Sequence, residues 1–498
     1  VLKLQGEHSE LLGDLKAARK LYSRADSIIS EFHGADSELR TPYRLAFVRV
    51  LLGLGEHEQA QSHIEVLLEQ AKGEDVETRL LYADIRQEMA KLALAKGELK
   101  DAESIIKEVL EIRSQHLPRR SEPVAAAFEV LARIHKADGR EVTASALAES
   151  ALDALNTEGE GEGRASIVVS KARLQSLLAR IELDQGNPAE AIPPANLALN
   201  TLRDLLGEQH PGVAEILHML GEIAQAERKL EKAESYYEEA LTKWENFFGG
   251  SHPQVCQAVS SLAQLYQQQG RLTMAENFHQ RNQVALEGRY GSASPALVDT
   301  LLGLGKLCRS QGNTGQAEAY LKRAAELQGV ATGGADRKMG EVLHTLALVY
   351  QDQRNFIAAE ALLRKAMDIR QRTTEDDSLE IAESKLALAR LYRTSGKVVE
   401  AEPLLRDVLE WRSSRLGEEH PEVASLLREM AELYADQKEY IKAQSLVRKA
   451  LGIYGEALGH RNLELVGPLR QLARLLEASG DKEEAETHRK MAEELMGQ

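Results

Sequence analysis

Gly270-Arg-Leu-Thr-Met-Ala275-Glu and Gly312-Asn-Thr-Gly-Gln-Ala317-Glu are two copies of one phrase, a glycine five residues before an alanine, with the two alanines 42 residues apart. The same step taken in both directions reaches Ala18, Ala60, Ala102, Ala144, Ala191, Ala233, Ala275, Ala317, Ala359, Ala401, Ala443 and Ala485, every spacing 42 except one of 47. Twelve alanines at one period exclude chance. A period of this length marks stacked supersecondary units that share a core, so length alone does not divide the chain into separate domains.

Other columns keep the same step. Twelve residues before each alanine lies a second small column, Gly6, Ala90, Ala132, Ala179, Gly221, Ala263, Gly305, Ala347, Ala389, Ala431 and Ala473, with Val48 as its larger member. Small side chains there let two helices approach closely. One position earlier runs a large apolar column, Phe47, Met89, Leu131, Leu178, Leu220, Leu262, Leu304, Leu346, Leu388, Met430 and Leu472, broken by Gln5. These are expected core. Seven residues after the anchor alanine, Ala25, Val109, Ala151, Ala198, Ala240, Ala324, Ala366, Val408, Ala450 and Ala492 predict the contact of each second helix with the next unit.

Glycine fills the turn at Gly13, Gly55, Gly97, Gly139, Gly186, Gly270, Gly312, Gly396 and Gly480, where a left-handed residue ends the first helix. Arg228, Arg354 and Lys438 take that place in the other three units, at some conformational cost. Between units the chain reads Leu206-Gly-Glu-Gln-His210-Pro211, Phe248-Gly-Gly-Ser-His252-Pro253 and Leu416-Gly-Glu-Glu-His420-Pro421. Proline suits a first helical turn, so the preceding histidines read as helix caps rather than metal ligands. Ser294, Asp336 and Ser378 occupy the same capping column.

Two places break the rhythm. Five extra residues near Thr157-Glu-Gly-Glu-Gly-Glu-Gly163 predict an acidic, glycine-rich loop, and Pro193-Pro194 fall inside a second helix. The expected organisation is therefore repeats over 1–156, an insertion over 157–165, and repeats over 166–498. At the start, Gln5 in the large apolar column leaves the first unit open, as if a segment before Val1 covers it. The last helix, from Asp481 to Met496, is charged on its outer side, as a terminal repeat must be.

Composition narrows the function. Lys and Arg total 62 against 78 Asp and Glu, a net charge of -16, which disfavours a nucleic-acid backbone as partner. Cys256 and Cys308 form no CxxC or Cys/His cluster, so neither a disulfide framework nor a zinc site is expected, and a reducing compartment fits. That compartment is the cytoplasm, or an organelle stroma or matrix if a targeting segment precedes Val1. No run of 18 apolar residues predicts a membrane span. No phosphate loop, zincin motif or catalytic constellation occurs, so the chain is expected to be no enzyme and to need no cofactor. Cys308 stands in the column of Tyr266, Tyr350, Tyr392 and Tyr434 and Trp411 in that of Ile369 and Ile453, which reads both as packing. Trp244 is one position out of that column and is left open.

The small residue, the twelve-residue step, the alanine and the capped turn resemble the tetratricopeptide repeat, whose usual period is 34. The 42-residue period with its LGxxHP linker is similar to the kinesin-light-chain variety, best seen in His420-Pro-Glu-Val-Ala-Ser-Leu-Leu-Arg-Glu-Met-Ala431. The resemblance implies an all-α solenoid of about twelve helix-turn-helix repeats forming a right-handed superhelix, with first helices lining a concave wall that holds extended peptides. It departs from the kinesin light chains where their paired asparagines stand. Those places read Ser260-Ser261, His344-Thr345, Leu386-Ala387 and Arg428-Glu429, so kinesin cargo binding is not expected to transfer. The Lys/Asn clamp of chaperone-tail-binding members cannot be assembled either.

Directly after the small column stand Glu7, Arg49, Lys91, Arg133, Arg180, Glu222, Gln264, Lys306, Leu348, Arg390, Glu432 and Arg474. Seven of these twelve are basic in a chain with 62 basic residues in 498, far above chance. Three residues further on, Lys136, Arg309 and Arg393 extend the same helical face. Arg49, Lys306, Arg309, Arg390 and Arg393 have no carboxylate at intrahelical pairing distance, whereas Lys91, Arg133, Arg180 and Arg474 do. The candidate peptide-binding residues are thus Arg49, Lys91, Arg133, Lys136, Arg180, Lys306, Arg309, Arg390 and Arg393. The expected partner is a protein segment, acidic or mixed in charge, bound by a scaffold or adaptor. A subunit packed into a larger assembly through outer or edge surfaces is the other reading.

Overall fold

The computed structural model describes residues 1–11, 14–34, 38–156, 165–333, 336–373, 378–459 and 462–497, and no strand occurs among them. They gather into two compact units, Val1–Arg271 and Leu272–Gln498. The first unit contains α1 (Leu2–Leu11), α2 (Leu15–His33), α3 (Thr41–Leu54), α4 (His57–Gln70), α5 (Val76–Lys96), α6 (Leu99–His116), α7 (Glu122–Ala137), α8 (Glu141–Ala154), α9 (Ala165–Asp184), α10 (Pro188–Leu206), α11 (Pro211–Ala226), α12 (Leu230–Phe248) and α13 (Pro253–Gln268). The second contains α14 (Leu272–Tyr290), α15 (Val298–Ser310), α16 (Thr314–Thr332), α17 (Arg337–Asp352), α18 (Phe356–Thr373), α19 (Leu379–Thr394), α20 (Val398–Leu416), α21 (Pro421–Asp436), α22 (Tyr440–Leu458), α23 (Val466–Ser479) and α24 (Lys482–Met496). Odd-numbered helices are the first of each repeat and even-numbered ones the second. Within each unit a helix packs on its hairpin mate, and each second helix also packs on the first helix of the next repeat.

The columns read from the sequence are the core. All twelve anchor alanines are at most 1% exposed, and the column seven residues later is buried throughout. In the large apolar column Leu131 and every member from Leu220 onward are buried, while Phe47, Met89 and Leu178 are half-buried and Gln5 is exposed. The turn residues have the backbone their position requires: φ is 76° at Gly55 and 79° at Gly97, and Arg228, Arg354 and Lys438 adopt 60°, 60° and 65°. Gly13 lies outside the described residues.

The linkers are built from caps. Nδ1 of His210 accepts from the Gly212 amide at 3.0 Å, and His252 and His420 do the same for Gln254 and Glu422. Asp336 and Ser378 cap α17 and α19 through their side chains. A second device closes some linkers from inside. Arg113, Arg370 and Arg412 occupy one register and donate to the carbonyl ten residues on, at Pro123 (2.5 Å), Glu380 (2.6 Å) and Glu422 (3.1 Å). Trp244 sits in that register, 1% exposed, with Nε1 donating to the Pro211 carbonyl at 3.2 Å.

The insertion near Thr157 to Gly163 lies outside the described residues, but the core on its two sides is continuous: Ala144, Ala148 and Ala151 of α8 share one apolar cluster with Leu174, Leu177 and Ile181 of α9. Helix α10 runs unbroken through Pro193 and Pro194. Each proline leaves the carbonyl four residues back without its helical donor. Those carbonyls belong to Ala189 and Glu190, which are exposed, so water can satisfy them.

Candidate functional site

Where first helices follow one another in the first unit, their inner faces form a groove of about 920 Å³ that touches α1, α3, α5, α7, α9 and α11. A neighbouring recess of about 470 Å³ shares Arg133 and Arg173 with it. The residues that directly follow the small column lie on this face of the first helices. Arg49, Lys91 and Arg133 therefore line the groove, and Lys136 and Arg180 line the recess. Five of the nine candidate residues are brought together in this way.

Most of these cations are already matched. Lys91 pairs with Glu88 at 2.9 Å and Arg133 with Glu129 at 3.0 Å, both within their own helix. Lys136 reaches Asp184 at 2.6 Å and Arg180 reaches Glu222, both on the next first helix. Arg49 is exposed and makes no ion pair among the described residues. Nearby, burial holds the Glu10 carboxyl above its usual range, opposed by the hydrogen bond from Tyr22 and by the charge of Arg49. Arg173 has no carboxylate partner among the described residues either; it is exposed and donates to Ser170 Oγ at 3.1 Å. The basic ladder did not contain Arg173. It stands six residues before the small column, and no repeating pattern marks it.

In the second unit, first helices carry the other four candidates, and each meets a carboxylate from the following first helix. Lys306 pairs with Glu341 at 2.7 Å, Arg309 with Asp352 at 2.6 Å, Arg390 with Glu429 (Nε to Oε2, 2.9 Å) and Arg393 with Asp436 at 3.2 Å. Burial opposes ionisation of Glu341, but Lys306 and Lys338 outweigh it and hold its carboxyl below the usual range. Hydrogen bonding to Glu429 raises the Arg390 guanidinium in turn. Neighbouring first helices set a residue against the one 43 positions on, as Arg309–Asp352 and Arg393–Asp436 show. In the first unit Gln225 and Gln268 meet in the same register at 2.8 Å. Lys136–Asp184 is that register lengthened by the five inserted residues. These residues lack intrahelical partners because their partners are in the next repeat.

The positions where kinesin light chains carry asparagines are also used between repeats. His218 meets Ser261 Oγ at 3.0 Å, and Arg428 donates to Gln471 Oε1 at 2.9 Å. Among the described residues no group of three or more His, Cys, Asp or Glu side chains is placed to hold a metal ion. None of their helices is long and apolar enough to cross a membrane. Cys256 and Cys308 are buried and form no disulfide with each other, and burial pushes the Cys308 thiol up.

No curated protein sequence matches the chain. Among solved structures, the apo form of the quorum sensor NprR from B. thuringiensis is 16% identical, covers 74% of this chain and 98% of its own, and superposes with a TM-score of 0.53. A Rap protein complexed with Competence and Sporulation Factor is 15% identical over 77% of this chain and 98% of its own, with a TM-score of 0.50. Kinesin-light-chain TPR-like repeats from Podosopora anserina are 20% identical over 42% of this chain and 99% of theirs, with a TM-score of 0.36. The likeness to these structures is one of fold. The family model for the MalT-like TPR region matches residues 172–416, and that for the tetratricopeptide repeat matches 395–456 and 422–498. With twelve buried alanine anchors in helical hairpins and family models matching from residue 172 to the last, the chain belongs to the tetratricopeptide-repeat proteins.

Proposed function

We propose that this protein is a non-catalytic interaction scaffold that holds an extended, acidic or mixed-charge segment of a partner protein in the first-helix groove of its first unit. One observation carries the reading: Arg49 and Arg173 line the same groove and are exposed, with no carboxylate of their own among the described residues, while the neighbouring cations are internally matched. A segment carrying carboxylates supplies the missing partners. Glu122 and Glu215 on the same walls suit basic residues between them, which is why a mixed segment fits as well as a purely acidic one. An exposed ion pair contributes only about 0–1 kcal/mol, so affinity comes from several pairs acting together with backbone contacts.

The test measures binding of extended acidic, mixed and basic peptides to the full chain by fluorescence anisotropy. Arg49→Glu with Arg173→Glu should weaken acidic peptides by about three- to tenfold and leave helicity unchanged, and added salt should weaken the parent chain in the same direction. Binding indifferent to both charge reversal and salt would sink the proposal. Arg390 and Arg393 are poorer probes, since a glutamate at either would face Glu429 or Asp436 and loosen the repeat interface. That neutralised stripe in the second unit favours the second reading for that half of the chain, contact through outer or edge surfaces. The full protein's location is proposed to be a reducing compartment, tested by tagging the full-length protein in cells.

A further inference from the structure

The outer face of the second unit carries a pattern that repeat packing does not require. Ile357, Val399 and Ile441 stand two residues before the anchor alanines of α18, α20 and α22 and are 87%, 79% and 81% exposed. Apart from Val142 and Ala189 in the fourth and fifth repeats, the other repeats place Lys16, Glu58, Lys100, Glu231, Thr273, Gly315 or Glu483 there. Single exposed aliphatics are ordinary; three in one register of consecutive repeats form a patch. Seven residues after each, on the same helical face, come Arg364, Arg406 and Arg448. Arginine occupies that register in no other repeat. Between ridge and arginines, four residues along, lie the exposed and small Ala361, Pro403 and Ser445.

We infer that this surface is a docking trough for an amphipathic helix of a partner protein, its apolar strip against Ile357, Val399 and Ile441 and its acidic flank toward Arg364, Arg406 and Arg448. At 1.5 Å rise per residue, ridge and arginine row are about 10.5 Å apart, which matches the 10–12 Å diameter of a helix with its side chains. The small middle row gives that helix a floor. Charge sets its polarity. Arg364 pairs with Glu360 (3.1 Å) and also donates to the Tyr392 hydroxyl (2.7 Å), Arg406 pairs with Glu402 (2.6 Å) and Arg448 with Glu484 (2.5 Å), and each guanidinium has five donors. An acidic flank meets the remaining donors, whereas a basic flank meets three like charges. The two registers are independent positions, yet aliphatic and arginine coincide in the same three repeats.

The experiment uses the full chain and fluorescein-labelled helical peptides of about 20 residues, long enough to cross several repeats. One carries a leucine strip flanked by glutamates, one has lysines in place of the glutamates, and one has serines in place of the leucines. The glutamate-flanked peptide should bind at least about tenfold more tightly than either control. Ile357→Ser, Val399→Ser and Ile441→Ser together should remove that binding. Arg364→Glu, Arg406→Glu and Arg448→Glu together should turn the preference to the lysine-flanked peptide, a gain that an unfolded variant cannot show. In the Arg49→Glu, Arg173→Glu background, where the groove no longer favours acidic segments, the glutamate-flanked peptide should still bind and should still lose that binding on the ridge substitutions, which separates the trough from the groove. The proposal is overturned by equal binding of the two charged peptides, or by binding that survives the ridge substitutions. It is equally overturned if the ridge instead drives concentration-dependent dimerisation in sedimentation, or adsorption to anionic phospholipid vesicles without discrimination between the peptides.

Discussion

Four residues after the anchor alanine comes a side chain that, in the repeats whose small column is glycine, lies directly against that glycine. Where that column is glycine, a large side chain fills the space: a Cβ added at Gly221 would lie 2.6 Å from the Tyr237 ring, and one at Gly305 would lie 2.5 Å from Leu321 Cγ. Ala132 and Ala179 stand with the smaller Ala148 and Ala195, while Ala90, Ala347 and Ala389 stand with Ile106, Leu363 and Leu405. Gly221→Ala should therefore overpack the α11–α12 hairpin and cost about 1–3 kcal/mol. Tyr237→Ala in the same chain should recover part of that loss despite removing a buried ring. Denaturant midpoints of the two single variants and the double variant measure this coupling. Strict additivity would show that the glycine and the tyrosine do not share the space.

At the scale of the element, α14 is tied to α15 by a histidine whose burial opposes ionisation. His279 is fully buried against Gly303, neither ring nitrogen has a partner among the described residues, and burial lowers its pKa to about 4. The unfolded value is near 6.5, so this site's share of stability is complete above about pH 6.5 and is lost as pH falls through about 4. The slope between is about 1.4 kcal/mol per pH unit. His344 in α17 is also held near 4, by burial and then by the charges of Arg370, Lys306 and Arg309 against Glu341, and adds the same dependence. Protection factors of the amides in α14 and α15, taken relative to their intrinsic exchange at each pH, should fall between about pH 6.5 and about 4. His279→Leu, which places the residue found at Leu363 and Leu405 of the same register, should flatten that dependence locally. An unchanged pH profile in the variant would refute the assignment.

Repeat proteins distribute their stability, since each unit contacts only its neighbours. The described residues fall into two compact units whose boundary in the chain lies between Arg271 and Leu272, in the turn of the seventh repeat. Denaturation should accordingly be segmental, with amide exchange protection in α5–α12 and in α17–α22 lost at different denaturant concentrations. Coincident transitions by every probe would contradict this.

The twelve alanines, the turn glycines and the histidine caps were legible in the sequence because each depends on local geometry: the 3.6-residue period, a left-handed turn, a proline in a first helical turn. The fold follows from them. The partners of the basic ladder were not legible in the same way. Searching within a helix finds Glu129 for Arg133, but it cannot find Asp352 for Arg309 or Asp436 for Arg393, because those pairs exist only when neighbouring first helices pack and set residues 43 apart side by side. Arg173 was missed because it belongs to no repeating column, and only the groove's closure brings it to the wall that Arg49 lines. Helix periodicity is a property of the chain and determined the repeats, whereas neutralisation of a charge depends on distances across repeats, and tertiary packing decided which cations remain free to meet a partner.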